Sequence, residues 1–314
     1  MKDRLIHLAR EAGFPVCAFA ALSPVQVEGT LHPQAQTLTG ETQSLLPEGK
    51  CVLLLAMPYR PFGEKADAAQ VDAYYISSNA AHEAAQLLAK RIEETLGLRA
   101  LASPPIYLKP LFARSGLGEF GRNGLISIGA YGTRVCLQAI LLDADIPCSP
   151  AMPRALAASC AGCRACLQAC PTGALIGDGS LDIARCLRAQ PENEPFPEAM
   201  RPQLKGSILG CDICQRVCPR NAQVKSLPEP DGLSAALDLN ALLSGQYKPL
   251  IPFLGKNNAR RQRLTARALI AAANLHRRDL LPLIEPLTEC KESEMVRIHA
   301  RWAMNQLTEP TEED

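Results

Sequence analysis

An α/β domain over residues 1–150, a small cysteine-organised module over 151–230 and a helical tail over 231–314 are the parts expected of this 314-residue chain. Three observations predict them. Helix-type and strand-type periodicities alternate through the first part, periodicity vanishes where cysteine, proline and glycine crowd together, and helical patterns return after Pro230. The length suffices for roughly two domains of ~150 residues with a sizeable core.

In the first part, Leu5, Ile6 and Leu8 share a helical spacing within residues 2–12, and Gly13 stops that helix. The apolar run 16–22 suits a strand, as does 51–57, which Pro58 closes. Residues 80–96 are dominated by Ala, Glu and Leu, strong helix formers. A third strand is expected near 134–142, after a Gly-rich stretch at 115–124 and a turn at 129–132. In the tail, segments 259–275, 280–288 and 292–307 make a helical pair and a half whose register resembles one HEAT-type repeat.

Lys and Arg number 33 against 32 Asp and Glu, a net charge of +1, so no global charge draws the chain to nucleic acid or an anionic membrane. No apolar run approaches the ~18 residues that span a bilayer. The opening residues mix both charge signs and lack the apolar core and cleavage site of a secretory signal. A cytoplasmic protein without membrane contact is therefore expected.

In a reducing compartment thirteen cysteines call for metal rather than disulfides. Cys160-x2-Cys163-x2-Cys166-x3-Cys170-Pro171 is the bacterial ferredoxin spacing for a 4Fe-4S cluster, whose fourth cysteine reaches a second cluster. A second set follows as Cys186 and Cys211-x2-Cys214-x3-Cys218-Pro219. Crossed wiring assigns Cys160, Cys163, Cys166 and Cys218 to one cluster and Cys170, Cys186, Cys211 and Cys214 to the other, in a ferredoxin-like fold. Paired Cys-x2-Cys zinc sites are the alternative, but they do not call for a third cysteine at the same interval followed by Cys-Pro. Cys17, Cys51, Cys136, Cys148 and Cys290 lie mostly in apolar segments, where a thiol behaves as a small hydrophobe, and are assigned no chemistry.

Gly116, Gly118 and Gly121 form a formal G-x-G-x-x-G. Dinucleotide binding needs a strand entering such a loop and a helix leaving it. Residues 109–114 read as helix, so a close-packed loop beside another large cofactor is expected, with Gly116, Gly118, Gly121 and Asn123 shaping the pocket.

The order of these parts resembles the epoxyqueuosine reductase family, cobalamin-dependent relatives of the reductive dehalogenases. The most specific stretches are Ser115-Gly116-Leu117-Gly118-x2-Gly121-Arg122-Asn123 and Gly210-Cys211-Asp212-Ile213-Cys214-Gln215-x2-Cys218-Pro219-x-Asn221. The resemblance implies a nitroreductase-like domain holding base-off cobalamin, fed single electrons by the two clusters from an external low-potential donor. It also implies a proton-donating Asp, but that position falls on Ala102, followed by Ser103 and Pro104. The family's Gly-x-Asp-Tyr-His stretch aligns with residues 78–82 and keeps only His82, while its Trp and Lys in the Gly-rich loop appear as Glu119 and Arg122. Tyr75, His82 and Tyr107 are the candidate replacement acids, although a Tyr or His near a helix is more often a packing residue.

Loss of the acid points away from epoxyqueuosine in tRNA toward a small-molecule or other modified-nucleoside substrate. Lys256, Arg260, Arg261, Arg263 and Arg267 open the tail where the family would meet tRNA phosphates, and a solvated helix face is the preferred reading. The leading expectation is thus a cobalamin-dependent iron–sulfur reductase. The alternatives are a non-catalytic two-cluster carrier, which includes a redox partner for a corrinoid protein, and a tRNA epoxyqueuosine reductase with a relocated acid.

Overall fold

Residues 1–22, 41–148, 150 and 155–309 are described by the computed structural model. An antiparallel sheet of β1 (Val16–Ala21), β2 (Cys51–Pro58), β7 (Val135–Leu142) and β4 (Ala100–Ala102), in that order, forms the first part. The register places Cys51 opposite Leu142 and Met57 opposite Cys136. Strand residues alternate between faces. Leu53 and Leu55 therefore enter one core with helices α1 (Lys2–Glu11) and α2 (Ala73–Leu96), while Val52, Leu54 and Ala56 enter another with α3 (Leu108–Arg114). Burial on both faces explains why β2 is an uninterrupted apolar run. Each buried Leu or Val contributes roughly 1.5–3 kcal/mol.

Helix α2 begins at Ala73, earlier than its Ala-rich part suggests, because the Asp72 carboxylate caps it by accepting from Tyr74 N–H at 2.9 Å. Gly97, at φ +66°, ends it. Strand β4 and the hairpin β5 (Glu119–Phe120) and β6 (Ile126–Ser127) are too short to carry a periodicity. A parallel pairing of β3 (Gln70–Val71) with β8 (Ser207–Leu209) stitches the sheet region to the cysteine-rich segment.

That segment consists of short turns, with α4 (Ala165–Ala169) and α5 (Ile213–Arg216) as its only α-helical pieces among the described residues. In the tail, α6 (Arg261–Asn274) is buried almost all round and α7 (Glu294–Thr308) packs on it. The tail's core, including Leu264, Ala268 and Leu269, is continuous with Leu5, Phe14 and Leu88 of the first part. A HEAT-type repeat is therefore not set apart here: the tail's apolar surface completes the main core. Among the described residues, no helix is long and apolar enough to cross a membrane.

Candidate metal centres and the adjoining pocket

The first cysteine run leaves a 3-10 turn at Ala158–Cys160 and enters α4, which buries Cys166. Cys218 arrives from the far end of the second run, one residue before the 3-10 turn Pro219–Asn221. Burial, then Cys218, Cys160 and Cys163 in that company, push the Cys166 thiol up. These four thiols thus face one another, and all four line a cavity of about 220 Å³. That is several times the ~30 Å³ share of one water in liquid. Among the described residues, no three His, Cys, Asp or Glu side chains close on a single-ion position. The space between these thiols suits a polynuclear centre.

The other set gathers around Cys214, whose thiol is raised by burial and then by Cys211, Cys186, Cys166 and Cys170. Cys211 is pushed up to about 11, mainly by burial, against a helping N–H of Ile213. Cys170 alone is lowered: burial opposes its thiolate, but the Thr172 hydroxyl and the N–H groups of Ala174, Thr172 and Leu175 outweigh it. Crowded thiols of this kind are stabilised as thiolates by metal charge.

Polar residues set among and just after the cysteines of the second run anchor that run to the sheet region. Asn221 accepts from Thr133 N–H at 2.8 Å and donates to Thr133 Oγ1 at 2.9 Å and Gln215 O at 2.8 Å. Gln215 donates to Thr133 O at 2.7 Å and accepts from Tyr59 Oη at 3.0 Å. Asp212 accepts from the buried Arg134 and from Arg216, each at 2.8 Å. Gly132, at φ +57°, lies so close to Asn221 Oδ1 that no Cβ fits. Tyr59, Thr133 and Arg134 carry no sequence signal of this role, because their partners lie 78 to 156 positions away.

The Gly-rich loop leaves α3 and runs into the β5–β6 hairpin, so it lacks the strand-to-helix geometry of a dinucleotide site. Gly121 and Asn123 line the cavity of the first quartet; Gly116 and Gly118 do not. A Cβ on Gly118 would meet Ile126 Cγ2 at 2.5 Å, so its lack of side chain serves the hairpin's own packing. Arg122 fastens the loop to the cysteine segment, donating to Cys160 O at 2.9 Å and Gly177 O at 2.8 Å. Asn123 Nδ2 and Ser127 Oγ are buried in residues of the cavity wall without a protein partner. Such donors fit a polar or anionic occupant, whether the sulfides of a cluster or the amide fringe of a corrinoid.

Two cations shelter beside the second quartet. Lys109 Nζ donates to Gly124 O at 2.9 Å, and burial lowers its pKa, while Cys186 and Cys214 favour its charge. Arg188 lies 3.9 Å from the Tyr74 ring centroid and 5.5 Å from that of Tyr75; burial opposes its charge, but Tyr74, Tyr75 and Asp72 hold it.

Of the candidate acids, Tyr75 lies beside Arg188 and within 3.0 Å of where a Cβ on Gly210 would stand. Tyr107 is the N-cap residue of α3. His82 is exposed on α2, and its Nδ1 lies 3.1 Å from Oγ of Ser103, which donates to Gln138 Oε1 at 3.2 Å. Ser103 follows Ala102 directly and holds φ +52°, unusual for a residue with a Cβ. The basic cluster of the tail divides: Lys256, Arg260 and Arg261 are exposed, whereas Arg263 is buried against Glu192 at 2.8 Å and Arg267 stacks 3.9 Å from the Phe196 ring centroid. A wholly solvated face is thereby corrected, because the chain around residues 192–196 covers two of its five cations.

Residues 159–221 match the family described as a 4Fe-4S double cluster binding domain. The chain is 29% identical over 201 residues to the epoxyqueuosine reductase of Staphylococcus aureus, covering 62% of this chain and 52% of that one. It is 33% identical over 208 residues to that of Lactococcus garvieae, covering 62% and 57%. The matched stretch thus spans little more than half of these relatives. A solved epoxyqueuosine reductase with an epoxyqueuosine-modified tRNA stem loop superposes with a TM-score of 0.78 at 20% identity, over 99% of this chain and 95% of that one. The Streptococcus thermophilus enzyme gives 0.75 at 23%, over 100% and 92%. The fold is the one these structures share.

Proposed function

We propose that the chain, which is similar to the epoxyqueuosine reductases, is a cobalamin-dependent iron–sulfur reductase acting on a small-molecule or modified-nucleoside substrate. The observation that carries this reading is the pair of facing thiol quartets, the first of which shares its cavity with the Gly-rich loop. Cys160, Cys163, Cys166 and Cys218 hold one 4Fe-4S cluster, and Cys170, Cys186, Cys211 and Cys214 the other. Asn123 and Ser127, in the cavity wall, carry buried polar atoms without a protein partner, and Gly121 leaves room for the Asn123 side chain. When bound, these groups would supply one-electron transfer and cobalt-centred reduction.

The chain's own residues set the terms of that chemistry. Arg122 holds the loop against the first quartet, joining the pocket wall to the backbone of its ligand segment. Lys109 and Arg188 place positive charge beside the second quartet, which favours thiolates and anionic clusters there. His82, joined to Ser103 beside the Ala102 position, is the group best placed to hold the proton that the missing acid would have given.

The Ala102 position also favours a second reading, a two-cluster electron carrier that needs no acid. Anaerobic purification from cells supplied with cobalamin, with iron and cobalt analysis and spectra before and after reduction, separates the two. About eight irons and one cobalt per chain support the reductase; about eight irons with no cobalamin uptake leave the carrier. Queuosine formation in a strain lacking the tRNA activity would instead assign the tRNA substrate.

A further inference from the structure

Cys51 and Cys148 belong to neither quartet, yet 97 positions apart in sequence their sulfur atoms lie 3.7 Å from each other. Cys51 opens β2, locked in register opposite Leu142 of β7, and is only 1% exposed. Cys148 follows the end of β7 by a short loop, is half-buried, and points its thiol at Ile146 O, 3.2 Å away. Cys148 is therefore the more accessible residue of the pair. Lys2 Nζ donates to Pro147 O at 3.5 Å, which brings a cation to the same corner. Burial, then the neighbouring Cys148 and Asp145, hold the Cys51 thiol well above its ordinary range despite Lys2. In such a pair the accessible member attacks first and the buried member keeps its proton until needed.

We propose that Cys51 and Cys148 form a thiol–disulfide exchange site for low-molecular-weight disulfides, closing to an intramolecular disulfide as the small disulfide is reduced. The Cys148 thiolate attacks one sulfur of the small disulfide, making a mixed disulfide and expelling the other half as a thiolate, which takes up a proton. Cys51 then gives up its proton and attacks the Cys148 sulfur, expelling the second half as a thiol. Two protein thiols are oxidised by two electrons and one disulfide is reduced to two thiols. The sulfurs must close from 3.7 Å to about 2.05 Å, a movement of the size that a side-chain rotation of Cys148 supplies. The bond would pin the chain leaving β7 to the first residue of the neighbouring strand, where it departs for the cluster segment. Cys17, Cys136 and Cys290 pack in or against the apolar core and serve as internal controls.

The full-length, cluster-loaded protein, kept anaerobic, is incubated with glutathione disulfide, alkylated, digested and mapped by mass spectrometry while cluster absorption is followed. The expected result is a Cys51–Cys148 cross-link short of two hydrogens, alkylated Cys17, Cys136 and Cys290, unchanged cluster absorption, and reversal by dithiothreitol. Cys51→Ala should stop at a glutathione adduct on Cys148, and Cys148→Ala should block both steps; the wild-type map decides the matter if either variant fails to fold. Both thiols recovered alkylated, a lasting glutathione adduct on Cys148 of the wild type, or a cross-link that forms only as cluster absorption is lost would each overturn the proposal.

Discussion

Replacing Arg134 by Met removes the guanidinium that ties the sheet to the second cysteine run while keeping most of the apolar stem. Arg134 is 2% exposed, and its Nη1 donates at 2.8 Å to Asp212, the residue directly after Cys211. Breaking a buried pair by removing one partner costs about 3–5 kcal/mol, because the remaining charge is left desolvated. Arg216 still donates to the other Asp212 oxygen at 2.8 Å, which places the loss at the low end, about 3 kcal/mol. At about 2 °C per kcal/mol for a chain of this size, Tm should fall by about 6 °C. Thermal melting of the cluster-loaded protein, anaerobic and at one scan rate, reads this, with visible absorption reporting cluster loss in step. Arg134→Met combined with Asp212→Leu should recover much of the stability, since no orphaned carboxylate remains. A single variant that melts within about 1 °C of wild type, or a double variant no better than the single, would refute the coupling.

Burial, together with Arg201 and Arg267 and against a bond to Met295 O, pushes the His299 imidazole down to about 4, and its Nε2 accepts from Phe196 N–H at 3.1 Å. The unfolded chain takes up a proton near pH 6.5 that the folded one refuses until about 4. Stability from this residue is thus complete above ~6.5 and lost on the order of 3 kcal/mol as pH falls to ~4; His299→Gln should flatten that slope in melting measured down to about pH 5, and an unchanged slope refutes it. The crossed wiring predicts that Cys166→Ser and Cys218→Ser leave one and the same residual cluster signal, and Cys170→Ser and Cys186→Ser the other, by iron content and electron paramagnetic resonance. Pairing of Cys166 with Cys170 by signal would reject the assignment. With a substrate in hand, His82→Gln should lower kcat about 10²-fold without changing iron content; an unaltered kcat puts the proton elsewhere.

Features with short-range signals were legible in the sequence. The cysteine spacing, the doubly buried run of β2 and the helical reading ahead of the Gly-rich loop each depend on neighbours within a few positions, and the structure has the strand, the helix and two gatherings of cysteines there. Strand β4 was not legible, since three residues cannot show an alternation. The Thr133, Arg134, Tyr59 network was invisible because its partners are remote, although Asp212, Gln215 and Asn221, polar residues set among the cysteines, were the half of it that could be read. Arg263 and Arg267 misled for the same reason: helical spacing shows that they share a face, and only the fold shows that Glu192 and Phe196 cover it.

The Ala102 position and the basic cluster of the tail bear on one question, the size of the substrate. Ser103 is held in a left-handed conformation that costs on the order of 1 kcal/mol or more for a residue with a Cβ, and its N–H to Ala139 O at 2.9 Å and its hydroxyl between His82 and Gln138 keep it there. The chain thus fixes a small side chain, Ala102, where the resemblance expects a carboxylate, and the next residue, Ser103, lies 3.1 Å from the His82 ring. At the tail, with Arg263 and Arg267 occupied inward, Lys256, Arg260 and Arg261 are what the cluster can present to phosphates. Binding to a folded nucleic acid draws its free energy from many such contacts, each adding to the salt dependence. A substrate recognised inside the pocket and a nucleic acid wrapped across the surface differ in how far binding depends on such outward cations. Salt titration decides between them: turnover insensitive to ionic strength fits a small substrate, and KM rising steeply with salt would restore the tRNA reading.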